Sequence, residues 1–279
     1  MDLNDQPTAQ DHSPRRVIGG LGSLSIVAGS MLGIGIFITP PLVAKHVDTE
    51  WMFYLVWLIG GLVAISGAVA CAELGAMFPK AGGGYVYQRE AFGESLAFAS
   101  GWVLFGAVFT GSIAGIAVPF CQYQLPVLLE PILGPVDLSA SIGGTSFQWS
   151  QLIGVGIILS ITGLNVLGTS LSTWAQKVLT IFPIIILAGL SVYVVSVGAP
   201  ATSATAPAVA PTSSGLGWGV LVLAYLPVYF AYSGWDAVIY VAGEVKRPSR
   251  NLPLGLILGA LCTTGLYMLM CYAYLDVLG

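Results

Sequence analysis

The stretches without any charged residue constrain this chain more than any other feature. No Asp, Glu, Lys or Arg occurs between Glu94 and Glu130, between Asp137 and Lys177, or between Lys177 and Asp236. About 20 apolar residues are enough to cross a bilayer as a helix, so each interval has room for at least one span. A membrane β-barrel would alternate apolar and polar residues in segments of roughly ten, whereas these runs are continuously apolar. Only 8% of the residues are charged, against about 25% in soluble domains. The sequence therefore predicts an all-α polytopic membrane protein.

Seven spans can be drawn, starting near residues 17, 51, 95, 149, 173, 217 and 253 and ending near 44, 78, 126, 166, 197, 243 and 278; the third weakens around Pro119 to Pro126. Residues 1–16 form a short polar tail. The apolar segment after it is too long for a signal-peptide core, so the tail is expected to stay on the protein. Residues 198–216, GAPATSATAPAVAPTSSGL, carry neither charge nor periodicity and read as an exposed connector. Short cytoplasmic loops are enriched in Lys and Arg. A cytoplasmic N-terminus puts Arg15, Arg16, Lys80, Arg89, Lys246, Arg247 and Arg250 inside and only Lys45 outside. The expected location is the cell membrane, plasma or bacterial inner, with 198–216 extracellular.

Chemistry on covalent bonds finds no support. Cys71, Cys121, Cys262 and Cys271 lie in or beside apolar segments without CxxC or Cys/His spacing. There is no nucleophile–base constellation and no GxxxxGK[ST] phosphate loop, so no cofactor, metal or ATP-driven cycle is expected. Nor is nucleic acid a partner.

Two spans contain their own interruption. The first holds Gly29, Gly33 and Gly35 within GSMLGIGIF; the sixth holds Pro227 followed by FAYSGWD, residues 230–236. Pro227 removes a helix hydrogen bond, and Gly234 adds backbone freedom. An unpaired backbone group inside a bilayer costs several kcal/mol, so irregular backbone survives there only where it lines a cavity or meets a ligand. Gly29 and Gly33 also fit a GxxxG packing face. Paired interruptions in two halves of a chain instead point to a transporter's substrate site. A restarting half-helix offers N–H groups to a carboxylate, and a stopping one offers carbonyls to an ammonium group. A zwitterionic amino acid satisfies both.

Four stretches carry a family resemblance: GSMLGIGIFITP (29–40), GAVACAELGAMFPKAGGGYVYQREAFG (67–93), FAYSGWD (230–236) and EVKRPSRNLP (244–253). The chain resembles the N-terminal part of an amino acid permease of the amino acid–polyamine–organocation superfamily. That resemblance implies twelve spans built on two inverted five-span repeats. Residues 17–197 would be the first repeat, and 217–279 would begin the second. It also implies that amides around Gly33, Ile34 and Gly35 hold the substrate carboxylate, while carbonyls near Met31, Phe230, Ala231 and Ser233 hold its amino group. Phe230 would gate the site. Many relatives have Ser or Ala where this chain has Ile34, so a hydroxyl ligand is missing.

In similar permeases a lysine at the place of Lys177 occupies the position that sodium fills in sodium-coupled relatives, which implies either proton coupling or a fixed charge bracing the first span, the alternative being an interfacial lysine that snorkels to water. Asp236 would contact a cationic substrate side chain, take part in coupling or cap the restarting half-helix. Glu73, within reach of Lys80 or Arg89, is expected to make a structural ion pair or hydrogen bond. The function implied is secondary active transport by alternating access, of neutral amino acids, by proton symport or exchange, with lipid as the solvent. The alternatives are a polyamine or cationic amino acid permease, and a non-transporting sensor or partial subunit.

Overall fold

In the computed structural model, residues 16–278 are described except for 34, 48, 143–146, 168 and 198–217. They form α1 (Gly20–Met31), α2 (Gly35–Ala44), α3 (Glu50–Met77), the short α4 (Gly84–Phe92), α5 (Glu94–Leu133), α6 (Trp149–Leu167), α7 (Thr169–Val197) and α8 (Trp218–Ala231). A 3₁₀ segment, Ala237–Glu244, and α9 (Pro248–Leu278) complete the order. Only isolated bridges, Ile18 with Val245 and Ser141 with Gln148, interrupt the helical pattern among the described residues. By length and apolarity α3, α5 and α9 can each cross a membrane, and α1 with α2, bent by 45°, can make one further span.

Proline decides three of the differences between sequence and structure. The third segment does not weaken at Pro119 and Pro126; α5 carries on for 40 residues to Leu133. Two wide π turns, Leu104–Phe109 and Phe120–Gln124, relax its ladder, the second directly after Pro119. In the last segment the helix starts at Pro248, not Pro253. Proline at the first helical position gives up an N–H that has no partner there anyway. The third case, Pro227, belongs to the site below.

The chain divides into two compact units: Met1–Tyr87 with Ile184–Gly279, and Gln88–Pro183. In the first unit α3 and α9 pack side by side, and α1 lies against α9. Its core is built on large side chains with no exposure, among them Trp57, Tyr267, Met31, Ile36, Leu252 and Leu256. Burying each stabilises the fold by about 1.5–3 kcal/mol, though against lipid the gain comes from packing more than from dehydration.

The second unit is built differently. Here α5 packs on α6 while its most apolar window stays entirely unburied within the structure. Phe98, Trp102 and Phe105 form an exposed edge-to-face ladder along α5, with centroids 6.3 Å apart. Past α5, Asp137 accepts hydrogen bonds from the Ser139 hydroxyl (2.5 Å) and N–H (2.9 Å). Those bonds hold its carboxyl below the usual carboxylate range.

Candidate functional site

Both interruptions lie in the first unit, and each ends its helix by a different device. At Met31 the α1 ladder stops: Leu32 has φ −76° and ψ 81°, and the Gly33 N–H donates to Met31 O at 2.9 Å. This is an inverse γ-turn, which kinks the chain at a single residue. Next α2 begins at Gly35, so its opening N–H groups have no partner within the helix and the positive end of its dipole lies at the break. Ile34 lies outside the described residues.

The sixth-span interruption is not at Pro227. Helix α8 runs through that proline to Ala231, and the chain then turns over residues 232–236 before restarting as the 3₁₀ segment. Proline removes one N–H but its φ is helical, so the loss is local. The turn is made by Gly234, with φ 97°, a conformation that L side chains rarely adopt. Asp236 sits at the N-cap position, yet its side chain makes no capping bond; it accepts from the Tyr240 hydroxyl at 3.2 Å instead. The expected cap is therefore corrected. Ala237 N–H reaches Gly234 O (3.1 Å) and Ile239 N–H reaches Asp236 O (3.0 Å), so two of the donors at the tight 3₁₀ start already serve backbone carbonyls.

Glycine is required where the two interruptions cross. A Cβ on Gly35 would stand 2.6 Å from Ala231 Cα, and one on Gly234 would stand 2.7 Å from Ser30 O. Backbone therefore meets backbone at both crossings, α2 against the end of α8 and the 232–236 turn against the end of α1. Between them stands a residue that sequence reasoning missed. Tyr267 of α9 has no exposure, and its hydroxyl shares one proton between Met31 O (2.6 Å) and Ala231 O (3.0 Å). Its ring packs edge-on against Trp57 at 5.7 Å and Tyr232 at 5.0 Å. A tyrosine deep in an apolar helix must find a partner for its hydroxyl, which was the available signal.

Other expected site groups fall as follows. Phe230 O accepts from the Ser233 N–H (3.2 Å) and the Ser233 hydroxyl (2.8 Å), so both groups are engaged within the turn. The Phe230 ring is 40% exposed, and Gly33 and Ser233 are also exposed. Tyr232 is buried against Trp57, and the Trp235 ring lies over Gly67. Lys177 lies on α7, where its side chain is outside the described residues. Glu73 is exposed and makes no ion pair among the described residues, so the expected pairing with Lys80 or Arg89 is corrected. Tyr87, outside the spans, has its hydroxyl buried without a partner among the described residues, and burial pushes it up to about 12.

Two discontinuous helices crossing at their breaks, in a chain of long apolar helices, are the architecture of a multi-pass membrane protein. Residues 18–279 match the family model described as amino acid permease, and the chain belongs to that family. It is similar to the serine/threonine exchanger SteT of Bacillus subtilis (strain 168), with 29% identity over 96% of this chain and 57% of that protein. It is similar also to the mouse b(0,+)-type amino acid transporter 1, at 30% identity over 95% of this chain and 52% of that protein. The mouse Asc-type amino acid transporter 1 is 28% identical over 93% of this chain and 47% of that protein. The chain spans about half the length of the curated relatives it matches.

Proposed function

We propose that this chain forms the substrate-binding part of a secondary active transporter that moves neutral amino acids by alternating access. The crossing of the two interruptions carries this reading, because it brings a helix start and a helix end together around one point. The substrate carboxylate docks at the start of α2, on the amides around Gly33, Ile34 and Gly35. The Gly33 N–H itself donates to Met31 O within the turn that precedes α2. The amino group faces the carbonyls of residues 230–233 and Met31, whose positions Tyr267 fixes, and Phe230 closes over the substrate. Lys177 is the coupling group, and the N-terminus is cytoplasmic, on the basic side of the chain.

Exchange is favoured over free uniport by likeness to a serine/threonine exchanger; proton symport is the other mode. Occupation of Asp236 by Tyr240 argues against a carboxylate held ready for a cationic side chain. The test is counterflow in proteoliposomes with the protein expressed from the whole gene, using serine, alanine, leucine, arginine and putrescine lanes. Saturable counterflow of the neutral amino acids is expected. Binding without counterflow would sink the transporter reading, and uptake of arginine or putrescine alone would move it to the cationic class.

A further inference from the structure

The stretch EVKRPSRNLP, residues 244–253, carries part of the family resemblance but has no place in the substrate site. The structure gives it one. Val17 and Ile18, just before α1, both donate their N–H groups to Glu244 O, at 2.8 and 3.0 Å. In return Lys246 N–H donates to Ile18 O at 2.8 Å, which closes a parallel bridge between Ile18 and Val245. Val245 has no exposure, and Ile18 packs on the same core.

The residues that follow hold this bridge in register. Arg247 takes a left-handed backbone, φ 46°, unusual for a residue with a Cβ and more so before a proline. That turn leads Lys246 directly into Pro248, the first residue of α9. The Asn251 side-chain amide donates back to Lys246 O. Arg247 O accepts from Arg250 N–H and Asn251 N–H, both at 3.0 Å. Glu244, Val245, Lys246, Arg247, Pro248 and Asn251 thus each have a structural task at one junction.

The consequence concerns which half-helices belong together. On one side of the breaks α2 lies backbone to backbone on α8, through Gly35 and Ala231. On the other side the bridge ties the entry of α1 to the exit of the 3₁₀ segment. Each broken span is therefore joined across the pair, half to matching half, and the breaks after Met31 and at residues 232–236 are the joints between the two pieces. Moving α1 away from the 3₁₀ segment would part three backbone hydrogen bonds and draw Val245 out of its core.

We propose that residues 17–18 and 244–247 form a clasp that stays closed through the transport cycle, so that α1 and the 3₁₀ segment 237–244 move as one piece about the two breaks. This rests on the transport reading above, and the experiment separates the two. The whole protein is reconstituted with Ile18→Cys and Val245→Cys together, and counterflow is measured after oxidation and again after reduction. Counterflow in the oxidised state close to that of the reduced state is expected. Counterflow abolished by oxidation and restored by reduction would show that the clasp must open, and would overturn the proposal.

A second pair of variants tests whether the clasp ties the halves at all. Lys246→Pro removes the N–H that reaches Ile18 O, while Lys246→Ala keeps it. The proline variant is expected to lower counterflow about fivefold, the weight of one net hydrogen bond, and to raise amide hydrogen exchange in both 20–31 and 237–244. Equal behaviour of the two variants in both measurements would overturn the clasp. If the wild-type protein shows no counterflow, the transport reading fails, and the amide-exchange comparison alone decides whether α1 and 237–244 are tied. A proline variant that does not fold leaves the decision to the cysteine pair.

Discussion

The two interruptions share a site but are built for opposite work. At the first, a one-residue γ-turn ends α1 and a regular helix starts at Gly35, so donors are freed. At the second, a five-residue turn ends α8 and a 3₁₀ segment follows, two of whose opening donors already serve Gly234 O and Asp236 O. A helix N-terminus attracts an anion through its free N–H groups and its dipole; a short 3₁₀ start with two donors already taken offers an anion less. On the proposed reading the carboxylate belongs at the first break, and shape, carbonyls and the aromatic cover fall to the second.

The strongest test of that contrast is steric. Gly234→Ala meets two obstacles, a left-handed φ of 97° and Ser30 O at 2.7 Å from the new Cβ. Backbone strain and overpacking together are expected to cost about 3 kcal/mol or more, read as a lost thermal transition in detergent. Gly35→Ala meets only the second kind of obstacle, Ala231 Cα at 2.6 Å. It is expected to cost about 1–3 kcal/mol, so it should fold at a lower Tm while losing substrate binding. The reverse order of stability would mean that the 232–236 turn is the more adaptable of the two.

Tyr267→Phe comes next, because it acts on both breaks at once. Removing the hydroxyl leaves Met31 O and Ala231 O without that donor in a buried place, at a cost of about 1–3 kcal/mol. A lower Tm together with weaker substrate binding is the expected pair of results. An unchanged Tm would show that water or another donor replaces the hydroxyl.

How much of this was legible beforehand depends on range along the chain. The apolar intervals and paired glycine-rich interruptions are local, and they led to the helical membrane fold and to residues 29–37 and 230–236. What the sequence hides is which backbone atoms meet. Gly35 is a glycine because of Ala231, and Gly234 because of Ser30, contacts between residues about two hundred positions apart that no periodicity encodes. Tyr267 was missed for the same reason, since its acceptors lie 236 and 36 residues away. The interruption read at Pro227 and FAYSGWD falls on the FAYSGWD part alone: α8 absorbs Pro227, whose ring removes one N–H and crowds the carbonyl one turn back but keeps a helical φ. Pro227→Ala restores an N–H to α8, so it is expected to leave Tm unchanged or raise it. A fall in Tm would return Pro227 to a role in making the break.

The smallest expected effect belongs to Asp236, and it separates the two breaks most finely. If the carboxylate capped the 3₁₀ segment, Asp236→Ala would cost about 1 kcal/mol and Asp236→Asn little. Because the side chain instead accepts from Tyr240 at 3.2 Å, Asn keeps that acceptor through its amide oxygen, and Asp236→Asn should change stability by less than about 0.5 kcal/mol. Tyr240→Phe should then abolish the difference between Asp236→Asn and Asp236→Ala, since the shared bond is gone in both. Counterflow of serine and leucine should pass through all of these variants with little change. A selective loss of arginine uptake in Asp236→Asn would show instead that the carboxylate turns from Tyr240 to a cationic side chain when substrate is bound. The second break would then supply a charge as well as a shape, and its difference from the first would narrow to the donors at the start of α2.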